Sequence, residues 1–182
     1  MSMTTLTVPA KGHIGEAIRY VASARSKDKM DPMMSKIYYS PEHKTLVATD
    51  KHRMHLVVFD IDLEEGLYDF YKITNEIRLV RSDRQEAYPP FNKIIPQVAD
   101  YKRFEFKGTK KDKNSIVVAS RLFAQVIKQI KEDLTVNFEY LSDSMLDGMM
   151  TVYVHPTSTA PILSESVIGE YLTKAVIMPI RM

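Results

Sequence analysis

Residues 48–54, with the sequence A-T-D-K-H-R-M, concentrate polar and charged side chains between two apolar runs. A plain hairpin turn does not require so many groups that can bind or react, so this segment is the first candidate site. His52 and His55 have the H-x-x-H spacing of some metal sites. A turn residue and a strand residue point their side chains differently, however, and no carboxylate or third histidine is an obvious further ligand. We therefore predict no metal site.

Carboxylates occur within this segment and just after it, and they raise a metal-dependent nuclease as a functional alternative. They span a predicted strand and its exit and alternate in direction, which favours a solubilising edge; they are Asp50, Asp60, Asp62, Glu64 and Glu65. The sequence has no cysteine, and its six glycines are scattered instead of forming a phosphate-binding loop. We predict that the protein is not an enzyme and requires no cofactor.

The composition is typical of a globular chain. Of the 182 residues, 45% are hydrophobic and 26% are charged, which is sufficient for one compact domain with its own core. The net charge of +2 is too small to indicate a polyanionic partner, because such binding depends on where cations cluster. No apolar run reaches membrane-spanning length and the start is unlike a signal peptide, so we expect a cytoplasmic protein without a membrane partner.

Hydrophobic periodicity predicts that the first half alternates between strands and one helix. The expected elements are a strand at 5–8, a helix at 14–22, a meander of strands at 36–40, 45–50 and 53–62, and a hairpin at 68–81. Residues 82–102 contain three prolines and little periodicity, which predicts an extended connector lying across the surface.

The second half repeats the strand-then-helix pattern about 109 residues later, which indicates a weak internal duplication. Its expected elements are a strand at 116–119, a helix at 122–130, strands at 134–140 and 150–155, a polar loop at 156–170 and a last strand at 175–180. We predict an α+β fold of duplicated β-α-β-β-β units, with two helices on one face of antiparallel sheets. The half-units cover about residues 4–81 and 103–182 of a single domain, 1–182, and residues 82–102 join them.

Three separated segments resemble motifs of the bacterial sliding clamp, the β subunit of DNA polymerase III. Residues 48–54 resemble its A-T-D-G-H-R-L run. Residues 88–96, Y-P-P-F-N-K-I-I-P, resemble F-P-D-Y-R-R-V-L-P, and residues 176–182, V-I-M-P-I-R-M, resemble the ending V-V-M-P-M-R-L. The segments occur in the same order as in the family. The resemblance implies a DNA-clamp-like fold.

In that family the three segments together line a hydrophobic pocket that accepts short linear peptides. The resemblance therefore assigns to a peptide-binding pocket Thr49, His52, Arg53, Met54, Pro89, Lys93, Ile94, Val176, Met178, Pro179, Ile180, Arg181 and Met182. Methionine and isoleucine side chains give an adaptable apolar surface, and Arg53 and Arg181 can meet the polar or acidic ends of a peptide.

The resemblance implies a DNA replication processivity factor that tethers DNA polymerase or clamp-loader-type proteins on double-stranded DNA. The alternative is a stand-alone peptide-binding module, an adaptor or a competitor, that does not encircle DNA. A bacterial clamp subunit has three such domains and two subunits close its ring, whereas this chain corresponds to about one domain. A ring would therefore need a homo-oligomer of six copies, joined head to tail through edge strands.

Helices of the clamp fold face the DNA, so the resemblance makes the helix cations candidate DNA-binding residues that contact phosphate groups without sequence preference. These are Arg19, Arg25, Lys27, Arg121, Lys128 and Lys131. The alternative is a solvated helix face, because Glu16, Glu132 and Asp133 dilute the positive field. Lys51 is a departure, since the family has glycine there, in a turn that can require a positive φ.

Overall fold

The computed structural model describes residues 4–28, 30–84, 86–108, 137–144, 146, 148–157 and 159–179. In chain order these contain β1 Thr5–Pro9, α1 His13–Ser23, β2 Ile37–Ser40, β3 Thr45–Thr49, β4 Arg53–Val58, β5 Gly66–Lys72, β6 Glu76–Arg81, β7 Lys102–Gly108, α2 Phe138–Ser144, β8 Gly148–Val154, β9 Ile162–Ile168 and β10 Tyr171–Ile177. A single 3-10 turn at Phe91–Lys93 lies between β6 and β7. Within these ranges no helix is long and apolar enough to cross a membrane.

The strands of the described ranges form one antiparallel sheet, in the order β1-β6-β5-β2-β3-β4-β10-β9-β8-β7. The two halves of the chain meet where β4 pairs with β10, with Arg53 opposite Ile177 and Met54 opposite Val176. Successive side chains of a strand point to opposite faces. Arg53 and Met54 therefore project from opposite sides of the sheet at the line where the halves join.

The two helices of the described ranges cover one face of the sheet, which we call the helix face. α1 is amphipathic, and its buried residues Ile18 and Val21 pack in one cluster with Val57 of β4. α2 contributes Leu141 to a second cluster, which includes Ile177 of β10. Full burial of an aliphatic side chain stabilises the fold by roughly 1.5–3 kcal/mol, so these clusters hold both helices on the sheet.

α1 approaches β1 closely because residue 15 is glycine. A Cβ atom on Gly15 would lie 2.3 Å from the carbonyl oxygen of Pro9 and 2.8 Å from that of Ala10. Both atoms belong to the backbone and cannot rotate away. Glycine is therefore required here by space, although it lowers helix propensity.

The connector covers part of the opposite face, which we call the connector face. Phe91 is buried there, and with Tyr88 and Ile95 it packs in a cluster that includes Met54 and Val176. The ring of Tyr88 also stacks on that of Tyr38, with 4.7 Å between centroids. Between β6 and β7 the described residues contain the 3-10 turn and no other helix or strand, and Lys102, the last residue of the predicted connector, already belongs to β7.

The α+β prediction is confirmed, as is the antiparallel sheet with both described helices on one face. The first-half strands and α1 lie where the periodicity placed them, although β4 ends at Val58 instead of residue 62. The first half contains β5 and β6 beyond a β-α-β-β-β unit, and these strands insert between β1 and β2. The predicted strand at 116–119 and helix at 122–130 lie outside the described residues.

Three predictions for the second half are wrong. This half was predicted to open with the strand at 116–119, but β7 precedes that segment, from Lys102, the last residue assigned to the connector, to Gly108. The alternation over 134–140 predicted a strand, but Asn137 caps α2 by accepting the Glu139 N–H at 2.9 Å, and Leu141 then points into the core. The polar loop expected at 156–170 contains β9, whose Ser166 is buried and donates its hydroxyl to the carbonyl of Met149.

Candidate functional site

The turn between β3 and β4 is built by local side-chain hydrogen bonds. Asp50 accepts the backbone N–H groups of His52 and Arg53 on Oδ1, at 3.1 and 2.9 Å. Thr49 donates its hydroxyl to the Arg53 carbonyl and accepts the N–H of Lys51. Lys51 has φ of 75°, in the left-handed region that favours glycine. The turn therefore keeps its geometry with lysine in place of glycine, at a steric cost.

The three motif segments converge at this turn. Met54 is 2% exposed and shares one cluster with Phe91 of the connector and Val176 of β10. The backbone N–H of Met178 bonds to the His52 carbonyl at 2.8 Å, which continues the β4–β10 pairing past the end of the strand. Residues far apart in sequence thus form a continuous structure, which we call the joint.

The predicted pocket residues of the joint segments differ in their exposure to solvent. Thr49, Met54 and Val176 are buried. Met178 is 36% and Ile94 41% exposed. His52 and Lys93 are also exposed, and Pro89 and Pro179 are half-buried. Ile180, Arg181 and Met182 lie outside the described residues.

Among the predicted pocket residues that the structure describes, Arg53 has its side chain on the helix face, where His52 also lies beside the ring of Tyr140. Its Nε donates to Asp50 Oδ2 at 3.1 Å, its Nη2 to the Ser23 carbonyl at 2.8 Å, and its Nη1 to Asp143 Oδ2. The guanidinium lies 4.5 Å from the ring centroid of Tyr140. With its side chain only 5% exposed, Arg53 is engaged within the protein and does not face the connector side.

A cleft of about 420 Å³ opens on the helix face beside the joint. Its walls are the segment after α1, the turn and the start of α2, and it is lined by Arg25, Ser26, Lys27, Asp28, Asp31, Asp50, Lys51, His52, Arg53, Glu139 and Tyr140. Sequence reasoning missed Glu139 and Tyr140 because it placed them on a strand. Asn137 with the acidic Glu139 two residues later was the available signal for a helix start.

The charges of the cleft largely neutralise one another. Lys51 pairs with Asp31 at 2.5 Å, and Arg53 pairs with Asp50 at 3.1 Å. Burial raises the pKa of Tyr140, which keeps the phenol protonated and able to donate a hydrogen bond. The cleft therefore offers hydrogen-bond donors and acceptors with aromatic surface, which suits a neutral or mixed-charge ligand.

The histidines of the H-x-x-H pair occupy different environments. His52 is exposed, whereas His55 is fully buried and stacked on Tyr20 at 4.5 Å between centroids. His55 Nδ1 lies 2.9 Å from the Tyr20 carbonyl, and burial lowers its pKa to about 4. Within the described ranges, no three ligand-type side chains are grouped to hold a metal ion.

Comparison with known proteins relates this geometry to a fold. No protein-family model matches the sequence, and no curated protein matches it. Solved structures match over the whole chain: the DNA polymerase III β subunit of Thermotoga maritima superposes with a TM-score of 0.65 at 17% identity. That of Streptococcus pneumoniae superposes with a TM-score of 0.63 at 16% identity. This chain has the sliding-clamp fold.

The match covers 100% of this chain and 66% of each of those two clamp chains. The Helicobacter pylori β clamp bound to a DNA ligase peptide also matches, with a TM-score of 0.58 and 13% identity over 100% of this chain and 67% of that one. The sliding-clamp fold is therefore shared across the chain, at identities too low to carry residue roles.

The cations on and after the helices were the predicted DNA contacts. Of the three that the structure describes, two already contact groups within the protein. Arg19 donates to the Ala10 carbonyl. Arg25 donates to the carbonyls of Ala22 and Ser35 and lies 4.6 Å over the ring of Phe70. Lys27 is exposed beside the cleft. Arg121, Lys128 and Lys131 lie outside the described residues.

Proposed function

We propose that this clamp-fold protein binds short linear peptides of replication proteins at the joint. The observation that carries the proposal is the convergence of three motif segments, with Met54, Phe91 and Val176 in one apolar cluster. Exposed apolar side chains, Met178 and Ile94, occur on the same segments. A buried apolar floor with an apolar rim is a common form of peptide-binding surface.

The neighbouring cleft extends this surface with polar groups. His52 belongs to the joint through its carbonyl and to the cleft through its lining position. A peptide that places apolar side chains on Met178 could continue past His52 towards Tyr140 and Glu139. Binding of the DNA ligase peptide by the Helicobacter pylori clamp supports this class of partner.

The fuller proposal is a processivity factor that tethers DNA polymerase or clamp-loader-type proteins on double-stranded DNA. The chain spans 66% of the Thermotoga clamp chain, so encirclement would require several copies. The sheet has two edges, β1 and β7, each paired on one side within the described ranges. Edge-to-edge pairing of β1 with β7 of another copy would continue the sheet in a head-to-tail homo-oligomer.

The second candidate function is a peptide-binding adaptor or competitor that does not encircle DNA. The engagement of Arg19 and Arg25 with backbone carbonyls favours it, because those guanidinium groups are less free to contact phosphates. Neither candidate includes a chemical step, and neither requires a cofactor.

Two measurements test these proposals. Fluorescence polarisation with a labelled form of the DNA ligase peptide should show saturable binding of one peptide per chain, and removal of residues 180–182 should weaken it. Sedimentation velocity then separates the candidates. A ring-sized oligomer that binds duplex DNA in a salt-dependent manner supports the processivity factor, whereas a monomer or simple dimer without DNA affinity supports the adaptor.

A further inference from the structure

Arg53 connects three segments that are distant in sequence. Its guanidinium contacts the carbonyl of Ser23 at the end of α1, the carboxylate of Asp50 in the turn and the carboxylate of Asp143 in α2. The ring of Tyr140, also in α2, lies against the same group. These contacts use both ends of the planar fork, which a lysine could not reproduce.

The part of α2 that Arg53 holds is also a wall of the cleft. Glu139 and Tyr140 line the cleft, while the next residue, Leu141, anchors α2 in the core. His52 faces the same wall, with 6.3 Å between its ring centroid and that of Tyr140. The position of Tyr140 relative to His52 thus depends on how α2 is docked on the turn.

We propose that Arg53 is a positioning residue, which does not bind the ligand itself but docks α2 on the turn and thereby sets the width of the cleft. The buried guanidinium is satisfied by protein groups, and a charge buried in this way is held by its partners. The role assigned to the cleft rests on the proposed peptide binding, whereas the docking of α2 by Arg53 is independent of that proposal.

Asp143 gives the cleanest test, because its side chain is 46% exposed and can be changed without opening the core. Hydrogen exchange followed by mass spectrometry on the peptide-free protein should show faster exchange of residues 137–144 in Asp143→Asn, on the order of ten-fold. Asp143→Glu should restore slow exchange. Asp83→Asn, which changes an exposed carboxylate elsewhere, is the matched control and should match the wild type.

The same variants are then titrated with the labelled DNA ligase peptide. We expect Asp143→Asn to weaken binding roughly five-fold, with recovery in Asp143→Glu, while circular dichroism shows that both variants remain folded at the temperature of the titration. Unchanged exchange of α2 in Asp143→Asn would overturn the positioning role. Faster exchange with unchanged affinity would overturn the link between docking and the cleft. If the wild-type protein does not bind the peptide, the proposed function is wrong. The exchange result would still test whether Arg53 docks α2 on the turn.

Discussion

The backbone N–H of Met178 donates to the carbonyl of His52 across 2.8 Å, so the end of the described chain is tied to the turn before β4. One sheet thereby joins the first and last thirds of the sequence. The connector packs Phe91 over the same line from the connector face. A surface assembled from three segments is fixed by the fold itself, without requiring any of them to be rigid alone.

Tyr88, which packs with Phe91 on the connector face, has a buried hydroxyl without a hydrogen-bond partner among the described residues. Burial raises the pKa of this hydroxyl. Tyr88→Phe removes the unsatisfied group and retains the stacking on Tyr38, so we expect stabilisation of about 1 kcal/mol. Urea unfolding measures this gain in the free energy of unfolding. Tyr38→Phe, which loses a 2.6 Å bond to Glu65, is the control and should give no gain. A lower midpoint for Tyr88→Phe would contradict the buried, unpaired hydroxyl.

His55 should make stability depend on pH. Burial lowers its pKa from 6.5 to about 4, so the folded protein holds the neutral ring while the unfolded chain takes up a proton. The contribution of His55 to the free energy of unfolding should therefore be fully present above pH 6.5. It should be lost as the pH falls from 6.5 through 4, by about 3 kcal/mol in total. Chemical denaturation across this range measures the slope.

His55→Phe is the control for that titration. The phenyl ring keeps the stacking on Tyr20, and the Tyr20 carbonyl still accepts the Ser23 hydroxyl at 2.7 Å. The difference in unfolding free energy between wild type and variant should shrink or reverse as the pH falls below 6.5, because only the wild type carries the titrating ring. A constant difference would show that His55 is not buried as described.

Lys51 should be replaceable by glycine with a gain in stability. A lysine with φ of 75° carries steric strain that glycine avoids, so Lys51→Gly should stabilise the fold by about 0.5–1 kcal/mol. The exposed ion pair with Asp31 is lost as well, but such pairs contribute little. Asp31→Asn removes the ion pair while keeping lysine at position 51, so it measures the cost of losing the pair alone. If Lys51→Gly is less stable than Asp31→Asn in thermal unfolding, the turn is not strained.

The resemblance grouped the three segments of the joint, but the sequence did not show on which side of the sheet their residues lie. The apolar patterns of 53–58 and 175–177 predicted a strand in each segment, whereas the pairing of these two strands is seen only in the structure. The direction of Arg53 could not be predicted, because β4 is apolar on both faces and its alternation does not show which face the helices cover. Asp143 and Tyr140, its partners, sit on a helix of seven residues whose apolar spacing also fits a strand.

β9 was not predicted, and its segment was expected to be a loop, for a different reason. Its Ser164 and Ser166 are buried, so polarity along the segment did not indicate exposure. Ser166 donates to the Met149 carbonyl and its own carbonyl accepts the hydroxyl of Thr173, bonds that depend on neighbouring strands. Only the assembled sheet supplies these partners.

The most direct test of the joint as a peptide-binding site compares two exposed apolar residues on the same sheet. Met178 belongs to the joint, and Tyr71, which is 51% exposed on β5, lies away from it. Fluorescence polarisation with the labelled DNA ligase peptide should show that Met178→Asp weakens binding about ten-fold or more, because a charge replaces an apolar contact, whereas Tyr71→Asp leaves the affinity unchanged. Equal affinities for Met178→Asp and wild type would contradict peptide binding at the joint.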